Sequence, residues 1–193
     1  MLVLEGVFDE VLVEDVAEIE AACARLRAAG AIILAKTNVP EMGAGGNSRN
    51  PVWGATSNPF DANLIAGGSS GGSAAALAAN LLPLCTGSDT GGSLRMPAAL
   101  CGVVGYRPSV DVIAHPTRPL GWSGISVLGP MARTVDDLAL MLDVCEGYHA
   151  DDPLSAPSDW TLQNPKKLAF QTTNPKSARL HANWSMQLST PPR

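Results

Sequence analysis

The spacing of apolar and polar residues predicts alternating helices and strands in the first part of the chain. Between residues 14 and 29, apolar positions recur at three- and four-residue intervals with charges between them, as in an amphipathic helix. These positions are Val16, Ile19, Cys23 and Leu26. Gly30 is a natural helix terminator, and the apolar run 31–35 after it predicts a short buried strand. A helix, a glycine and an apolar strand in succession indicate α/β layering.

The middle of the chain divides into loop-rich and regular segments. We expect an irregular segment or a short strand at residues 1–13. Loops are predicted at 37–66 and 107–126, because glycine, proline, asparagine and serine are frequent there. The regular elements predicted between these loops are a helix at 73–79, strands at 81–86 and 102–106, and a short helix at 97–100.

A final helix is predicted after residue 134. Thr134 and Asp137 have the spacing of a capping box. The apolar face predicted for this helix consists of Val135, Leu138, Leu142 and Cys145. Gly147 ends the helix, and from about residue 150 the chain becomes polar and rich in proline.

Composition restricts the classes of function. The chain has 193 residues, is 46% hydrophobic and carries a formal net charge of −5 without a long basic run, which argues against nucleic acid or anionic membranes as the main partner. No apolar stretch approaches the length of a membrane span, and the first residues do not resemble a signal peptide. Four cysteines lie in apolar surroundings without a C-x-x-C pair, which predicts reduced, buried thiols and a cytoplasmic location. No His/Cys cluster has metal-ligand spacing, so neither a metal nor an organic cofactor is expected.

Two loops rich in glycine and serine are the candidates for chemistry. Residues 67–73 read GGSSGGS, and residues 87–95 read GSDTGGSLR. Glycine lets a backbone approach a ligand closely, consecutive amides can bind an anion or a developing oxyanion, and a serine in that setting is a candidate nucleophile. The first loop lacks the lysine of a phosphate-binding P-loop.

Two other interpretations of the first loop stay open at this point. Ser70 stands at the centre of a G-x-S-x-G pattern, but a nucleophile elbow needs a strand before it and a histidine partner. The histidines are His115, His149 and His181, and none has a distinctive setting. A tight turn without chemistry would explain one such loop more easily than two.

The two loops together resemble the signature of the amidase signature family. The resemblance extends from the first loop through residues 87–109, GSDTGGSLRMPAALCGVVGYRPS. Three flanking stretches are also similar to the family: 30–42 (GAIILAKTNVPEM), 129–139 (GPMARTVDDLA) and 151–155 (DDPLS). The resemblance covers roughly residues 15–160.

This resemblance implies a serine amidase that needs no histidine. Ser93 matches the nucleophile, and Ser69 matches a bridging serine that follows a cis peptide bond and relays a proton to a lysine. The amides that match the oxyanion hole are those of Thr90, Gly91, Gly92 and Ser93. Asp89 and Arg95 are expected to brace the second loop through hydrogen bonds.

The chain departs from the family pattern at the lysine. The family's lysine precedes the segment 15–35 in an apolar stretch, and residues 1–13 contain no lysine. Three explanations remain open: the chain is a fragment or begins at a misassigned start, it is an inactive remnant, or Lys36 has been recruited as the base. Residues 1–165 are interpreted as a partial amidase signature domain and 166–193 as a poorly ordered tail.

The expected fold is therefore α/β, an incomplete mixed sheet flanked by helices. The expected activity is hydrolysis of a small-molecule carboxamide through an acyl-enzyme on Ser93. The amide-hydrolysing component of the tRNA-dependent amidotransferase shares the signature, although residues 121–130 (GWSGISVLGP) resemble stand-alone amidases more. An inactive fragment or binding module is the alternative from another class. Oligomeric state and substrate are not specified.

Overall fold

A mixed five-stranded sheet forms the centre of the computed structural model, which describes residues 2–5, 21–118 and 121–156. Its strands are β1 (Leu2–Glu5), β2 (Ile33–Thr37), β7 (Leu84–Asp89), β8 (Val104–Gly105) and β9 (Val127–Ala132), in the order β2-β1-β7-β9-β8. The pairs β2–β1 and β1–β7 are parallel, whereas β7–β9 and β9–β8 are antiparallel. This arrangement confirms the predicted α/β class with a mixed sheet.

Helices cover both faces of the sheet. The described α-helices are α1 (Ala21–Ala28), α2 (Gly71–Ala78), α3 (Arg95–Cys101) and α4 (Val135–Cys145), and a short 3-10 helix spans Glu41–Gly43. Leu84 of β7 packs with the buried residues of α1 and α4, while the next residue, Cys85, belongs to the core formed with α2 and α3. Because successive strand residues point to opposite faces, the sheet separates two apolar cores.

The sequence patterns located the helices well. Helix α1 confirms the described part of the segment 14–29, and Gly30 after it has φ +89. Helix α2 begins two residues before the expected 73–79, and α3 extends the short helix expected at 97–100. The Thr134 hydroxyl caps α4 by accepting a hydrogen bond from the Asp137 amide at 3.1 Å. Val135 is exposed, however, so it does not belong to the apolar face of α4.

The strands differ more from the sequence-based expectation. Strand β2 is partly exposed rather than buried, because among the described strands it lies at the edge of the sheet and pairs with β1 alone. Strand β7 lies three residues later than the expected 81–86, since its pairing with β9 extends to Asp89. Only residues 104–105 of the expected strand at 102–106 are in β8. Strand β9 was missed altogether because it contains Pro130, which breaks a strand pattern.

The loop-rich segment 37–66 contains two small hairpins. Strands β3 (Arg49–Asn50) and β4 (Gly54–Ala55) form the first, and β5 (Ser57–Asn58) and β6 (Asp61–Ile65) form the second. Their strands have two to five residues, too short for a periodic sequence signal.

All four cysteines are buried thiols, which confirms the prediction from their apolar surroundings. No helix of the described part of the chain has the length and apolarity needed to cross a bilayer. Residues 6–20 and 157–193, with the predicted N-terminal half of the first helix and the predicted tail, lie outside the described residues.

Candidate active site

The two glycine-serine loops meet beside the end of β7. The loop with Ser69 connects β6 to α2, and the turn with Ser93 connects β7 to α3. The Ser70 amide donates a hydrogen bond to the Ser93 carbonyl oxygen at 3.3 Å, so the loops are in direct contact. The peptide bond between Gly68 and Ser69 is cis, as the resemblance implied.

Ser48 attaches the first loop to the segment before β3. Its hydroxyl donates to the Ser69 carbonyl oxygen at 2.8 Å and accepts from the Gly71 amide at 2.9 Å, and its amide donates to the Gly67 carbonyl oxygen at 3.0 Å. Ser48 and Ser69 are both buried. The backbone on each side of Ser69 is thus held in place. Sequence reasoning missed Ser48, because no motif distinguishes it from the other serines of its loop.

Ser70 holds the first loop against β7. Its hydroxyl donates to the Ser88 carbonyl oxygen and accepts from the Ser88 amide, both at 3.3 Å, and the residue is fully buried. A Cβ on Gly87 would lie 2.7 Å from that hydroxyl, so the close approach requires glycine. The Ser70 hydroxyl is therefore a structural group, and the nucleophile-elbow interpretation does not fit the geometry.

The histidines lie among other polar groups. The His115 amide donates to Asp152 Oδ2 at 2.8 Å, and Arg118 binds the same carboxylate at 3.2 Å. His149 Nδ1 accepts from the Asp151 amide at 3.2 Å. His181 lies outside the described residues.

Asp89 holds the turn that carries Ser93. Its Oδ1 accepts a hydrogen bond from the Gly92 amide at 2.8 Å, and its Oδ2 accepts from the Leu94 amide at 3.2 Å. Arg95 binds the same carboxylate with two hydrogen bonds, from Nε at 2.9 Å and from Nη2 at 3.0 Å. The expected bracing by Asp89 and Arg95 is present.

A second arginine reaches the same carboxylate from another segment. Arg107 Nη1 donates to Asp89 Oδ1 at 2.9 Å and also to the Asp89 carbonyl oxygen. The side chain of Asp89 is completely buried. Burial by itself would raise the pKa of Asp89, but the hydrogen bonds from Arg95 and from the amides of Gly92 and Leu94 outweigh it and hold that pKa well below its usual range. Asp89 is therefore a carboxylate at neutral pH.

The amides around Ser93 are not equivalent. The Gly92 amide is already bonded to Asp89, so this proton is not directed at a substrate in the present arrangement. Among the residues that the structure describes, no acceptor is bonded to the amides of Thr90, Gly91 or Ser93. Of the four amides expected to form an oxyanion hole, these three can therefore donate to an oxyanion without first losing a hydrogen bond to a described residue.

Lys36 lies on the wrong face of the sheet to serve this site. Thr37, at the end of β2, shares a 2.9 Å hydrogen bond with Ser73 in the first turn of α2. Strand alternation points the neighbouring Lys36 side chain to the opposite face, toward the core formed with α1 and α4. Recruitment of Lys36 as the base is not supported by this geometry.

Comparison with known proteins identifies the family. The sequence profile of the amidase family matches residues 10–180. The chain is 50% identical over 137 residues to a component of the glutamyl-tRNA(Gln) amidotransferase of Thermus thermophilus; the match covers 71% of this chain and 28% of that protein. The chain thus spans little more than a quarter of the length of this relative.

Solved structures show the same architecture. A bacterial aryl acylamidase of the amidase signature family superposes with a TM-score of 0.74 at 29% identity, over 83% of this chain and 36% of that one. The 6-aminohexanoate cyclic dimer hydrolase, solved with its substrate, superposes with a TM-score of 0.72 at 34% identity, over 85% of this chain and 37% of that one.

Proposed function

This chain belongs to the amidase signature family, and on that premise we propose that it carries the nucleophile and the oxyanion-binding amides of an enzyme that hydrolyses carboxamides. Ser93 is the nucleophile and Ser69 is the bridging serine. The bond that is broken is the amide C–N bond, and the products are a carboxylate and ammonia or an amine. No metal or organic cofactor takes part.

The reaction proceeds through an acyl-enzyme. Ser93 Oγ attacks the amide carbonyl carbon while its proton passes to the Ser69 hydroxyl, which gives its own proton to a neutral lysine. The tetrahedral intermediate collapses when the C–N bond breaks and the protonated lysine returns a proton, through Ser69, to the leaving nitrogen. A water molecule then attacks the ester by the same relay and releases the carboxylic acid and free Ser93.

The turn after β7 stabilises the oxyanion in this proposal. The amides of Thr90, Gly91 and Ser93 are the donors, because the structure leaves them without an acceptor among its described residues. Loss of one such donor typically costs about 2.7–4 kcal/mol of transition-state stabilisation. The Gly92 amide contributes indirectly by fixing the shape of the turn through Asp89.

The lysine of the relay is the group that the described residues do not supply. Lys36 is the lysine found in the described part of the chain, and it faces away from Ser69. The proposal therefore assigns the base to a lysine of the enzyme outside these residues.

One observation carries the proposal. The Ser70 amide bonds to the Ser93 carbonyl oxygen, which brings the segment with the Gly68–Ser69 cis bond against the turn whose amides at Thr90, Gly91 and Ser93 bond to none of the described residues. This juxtaposition supports a role for Ser69 next to Ser93.

A fluorophosphonate tests the assignment. The reagent should modify Ser93 of the 193-residue chain, as located by peptide mass spectrometry. Ser93→Ala should abolish the modification, and Ser69→Ala should slow it by at least about tenfold. The exposed loop residue Ser109 offers a matched control, and Ser109→Ala should react like the wild type. If the wild-type chain is not labelled, the inactive fragment or binding module becomes the better interpretation.

The amide-hydrolysing component of a tRNA-dependent amidotransferase is the second candidate function. The 50% identity with the Thermus thermophilus protein favours it, whereas residues 121–130 lack the Asp-Gln pair expected before Gly-Pro in that component. Ammonia release from glutamine, compared with release from a simple aryl or alkyl carboxamide, distinguishes the candidates in the whole enzyme. Turnover of glutamine alone would favour the amidotransferase.

A further inference from the structure

Arg107 bonds to two different segments at once. Its Nη1 donates to the Asp89 carboxylate at 2.9 Å, and its Nη2 donates to the Ile125 carbonyl oxygen at 2.9 Å. Asp89 in turn holds the turn with Ser93, while Ile125 belongs to residues 121–126, which we call the wall loop. One guanidinium therefore connects the wall loop to the nucleophile turn.

The sheet register places these segments side by side. Asp89, the last residue of β7, pairs with Val127, the first residue of β9. The nucleophile turn begins directly after Asp89, and the wall loop ends directly before Val127. Both segments therefore lie beside the same end of the β7–β9 pair. The side chains of Trp122 and Ile125 in the wall loop are 80% and 56% exposed. Exposed apolar side chains beside a nucleophile are suited to contact the apolar part of a substrate.

Neutralising the charge of Asp89 does not by itself require Arg107. Arg95 already binds both oxygens of the Asp89 carboxylate in a bidentate pair. Arg107 adds a bond to the Asp89 backbone and reaches a carbonyl of another loop. Arg118 makes the equivalent connection one residue later, from the buried Asp152 to the Ser126 carbonyl oxygen. Two arginines, each bound to a buried carboxylate, thus hold the end of the wall loop.

We propose that Arg107 is a positioning residue, which holds the wall loop against the turn that carries Ser93. This inference rests on the proposed function, because the position of the wall loop matters for catalysis only if Ser93 is the nucleophile. Arg107 makes its bonds to Asp89 and Ile125 from two different nitrogens, whereas lysine has a single terminal nitrogen, so a lysine that pairs with Asp89 loses the fork that also reaches Ile125. Arg107→Lys therefore separates the two connections.

Hydrogen-deuterium exchange of the full chain tests the proposal without requiring activity. In Arg107→Lys, peptides covering the wall loop should exchange about tenfold faster, while those covering the nucleophile turn should stay within about twofold of the wild type. In Arg107→Met, the peptides covering the wall loop and those covering the nucleophile turn should both exchange faster than in the wild type. The exposed Arg133 provides the control, and Arg133→Lys should leave both unchanged.

Two outcomes overturn the proposal: wild-type exchange of the wall loop in Arg107→Lys, or equal acceleration along the whole chain, which would mean general destabilisation. If Arg107→Met does not fold, Arg107→Lys alone decides. Labelling of Ser93 by the fluorophosphonate is measured separately. Failure of labelling rejects the proposed function, whereas failure of the exchange pattern rejects the role of Arg107.

Discussion

Ser70 donates its amide proton to the carbonyl oxygen of Ser93 at 3.3 Å, so the residue after the proposed bridging serine is bonded to the proposed nucleophile itself. Ser69 and Ser93 are 24 positions apart in the sequence, and this bond joins their loops beside the end of β7. Their relative position is therefore set by the tertiary structure that supports both loops.

Loss of the Asp89 charge should destabilise the fold strongly. Asp89→Asn removes the ion pairs with Arg95 and Arg107 and leaves their guanidinium groups without a buried anion. Because Arg95 is 57% exposed and can be solvated once the anion is lost, the expected cost is that of removing charge-assisted hydrogen bonds from a buried group, about 1–3 kcal/mol. Urea denaturation at neutral pH measures it. Asp143 is exposed on α4, and Asp143→Asn should change the free energy of unfolding by less than about 0.5 kcal/mol. Equal losses in both variants would contradict the buried role of Asp89.

Acid should destabilise the protein through two buried carboxylates. Burial opposes the charge of Asp152 as it does that of Asp89, but hydrogen bonds from the His115 and Leu154 amides and from Arg118 lower its pKa. A folded-state pKa below the unfolded value of about 3.9 gives stability above that value, which is lost as the pH falls toward the folded pKa. The free energy of unfolding should therefore decrease below about pH 4.

Urea denaturation between neutral and acidic pH measures this dependence. Asp152→Asn should be less stable at neutral pH and should lose less stability on acidification than the wild type. An identical pH profile for the variant would show that Asp152 does not contribute.

The backbone conformation at Gly92 should be required, whereas glycine at position 91 should be replaceable. A Cβ would meet no atom within 4 Å at either position, but Gly92 has φ +112. Gly92→Ala should therefore lower the free energy of unfolding by about 1–2 kcal/mol through backbone strain alone. Gly91→Ala is the matched control and should change it by less than about 0.5 kcal/mol. Thermal unfolding of the two variants compares them directly, and equal stability would refute the strain argument.

Lys36 should be dispensable for the reaction of Ser93. Because strand alternation points its side chain away from Ser69, Lys36→Ala should be labelled by the fluorophosphonate at the wild-type rate. The labelling rate at several pH values measures this, and circular dichroism checks that the variant folds. A loss of labelling in a folded variant would instead identify Lys36 as the base.

The 193-residue chain should be marginally stable or prone to aggregation when expressed alone. Strand β6 is exposed along its whole length, and Leu64 and Ile65 are 58% and 48% exposed. Exposed apolar strands promote association. Replacing both residues by threonine should raise the soluble concentration, measured by size-exclusion chromatography, whereas Ala62→Thr on the same strand should not. A soluble wild-type monomer that melts cooperatively would contradict the prediction.

Local patterns were sufficient for the helices, the fold class and the family. The apolar spacing and glycine terminators located α1 and α4, because helix periodicity and capping depend on neighbouring residues. The alanine-rich segment located α2 for the same reason. The two glycine-serine loops indicated the amidase signature family, which the comparison with known proteins confirmed.

Only the tertiary structure decided which groups share the site. Strand β9 exists because β7 and β8 supply its hydrogen-bond partners, and no local propensity could indicate a strand through Pro130. The link from Arg107 to Ile125 and the support of Ser69 by Ser48 join residues 18 and 21 positions apart. The hydrogen bond from the Gly92 amide to Asp89 depends on the shape of the folded turn. Such contacts form only when the sheet register brings distant segments together, which a pattern of neighbouring residues does not encode.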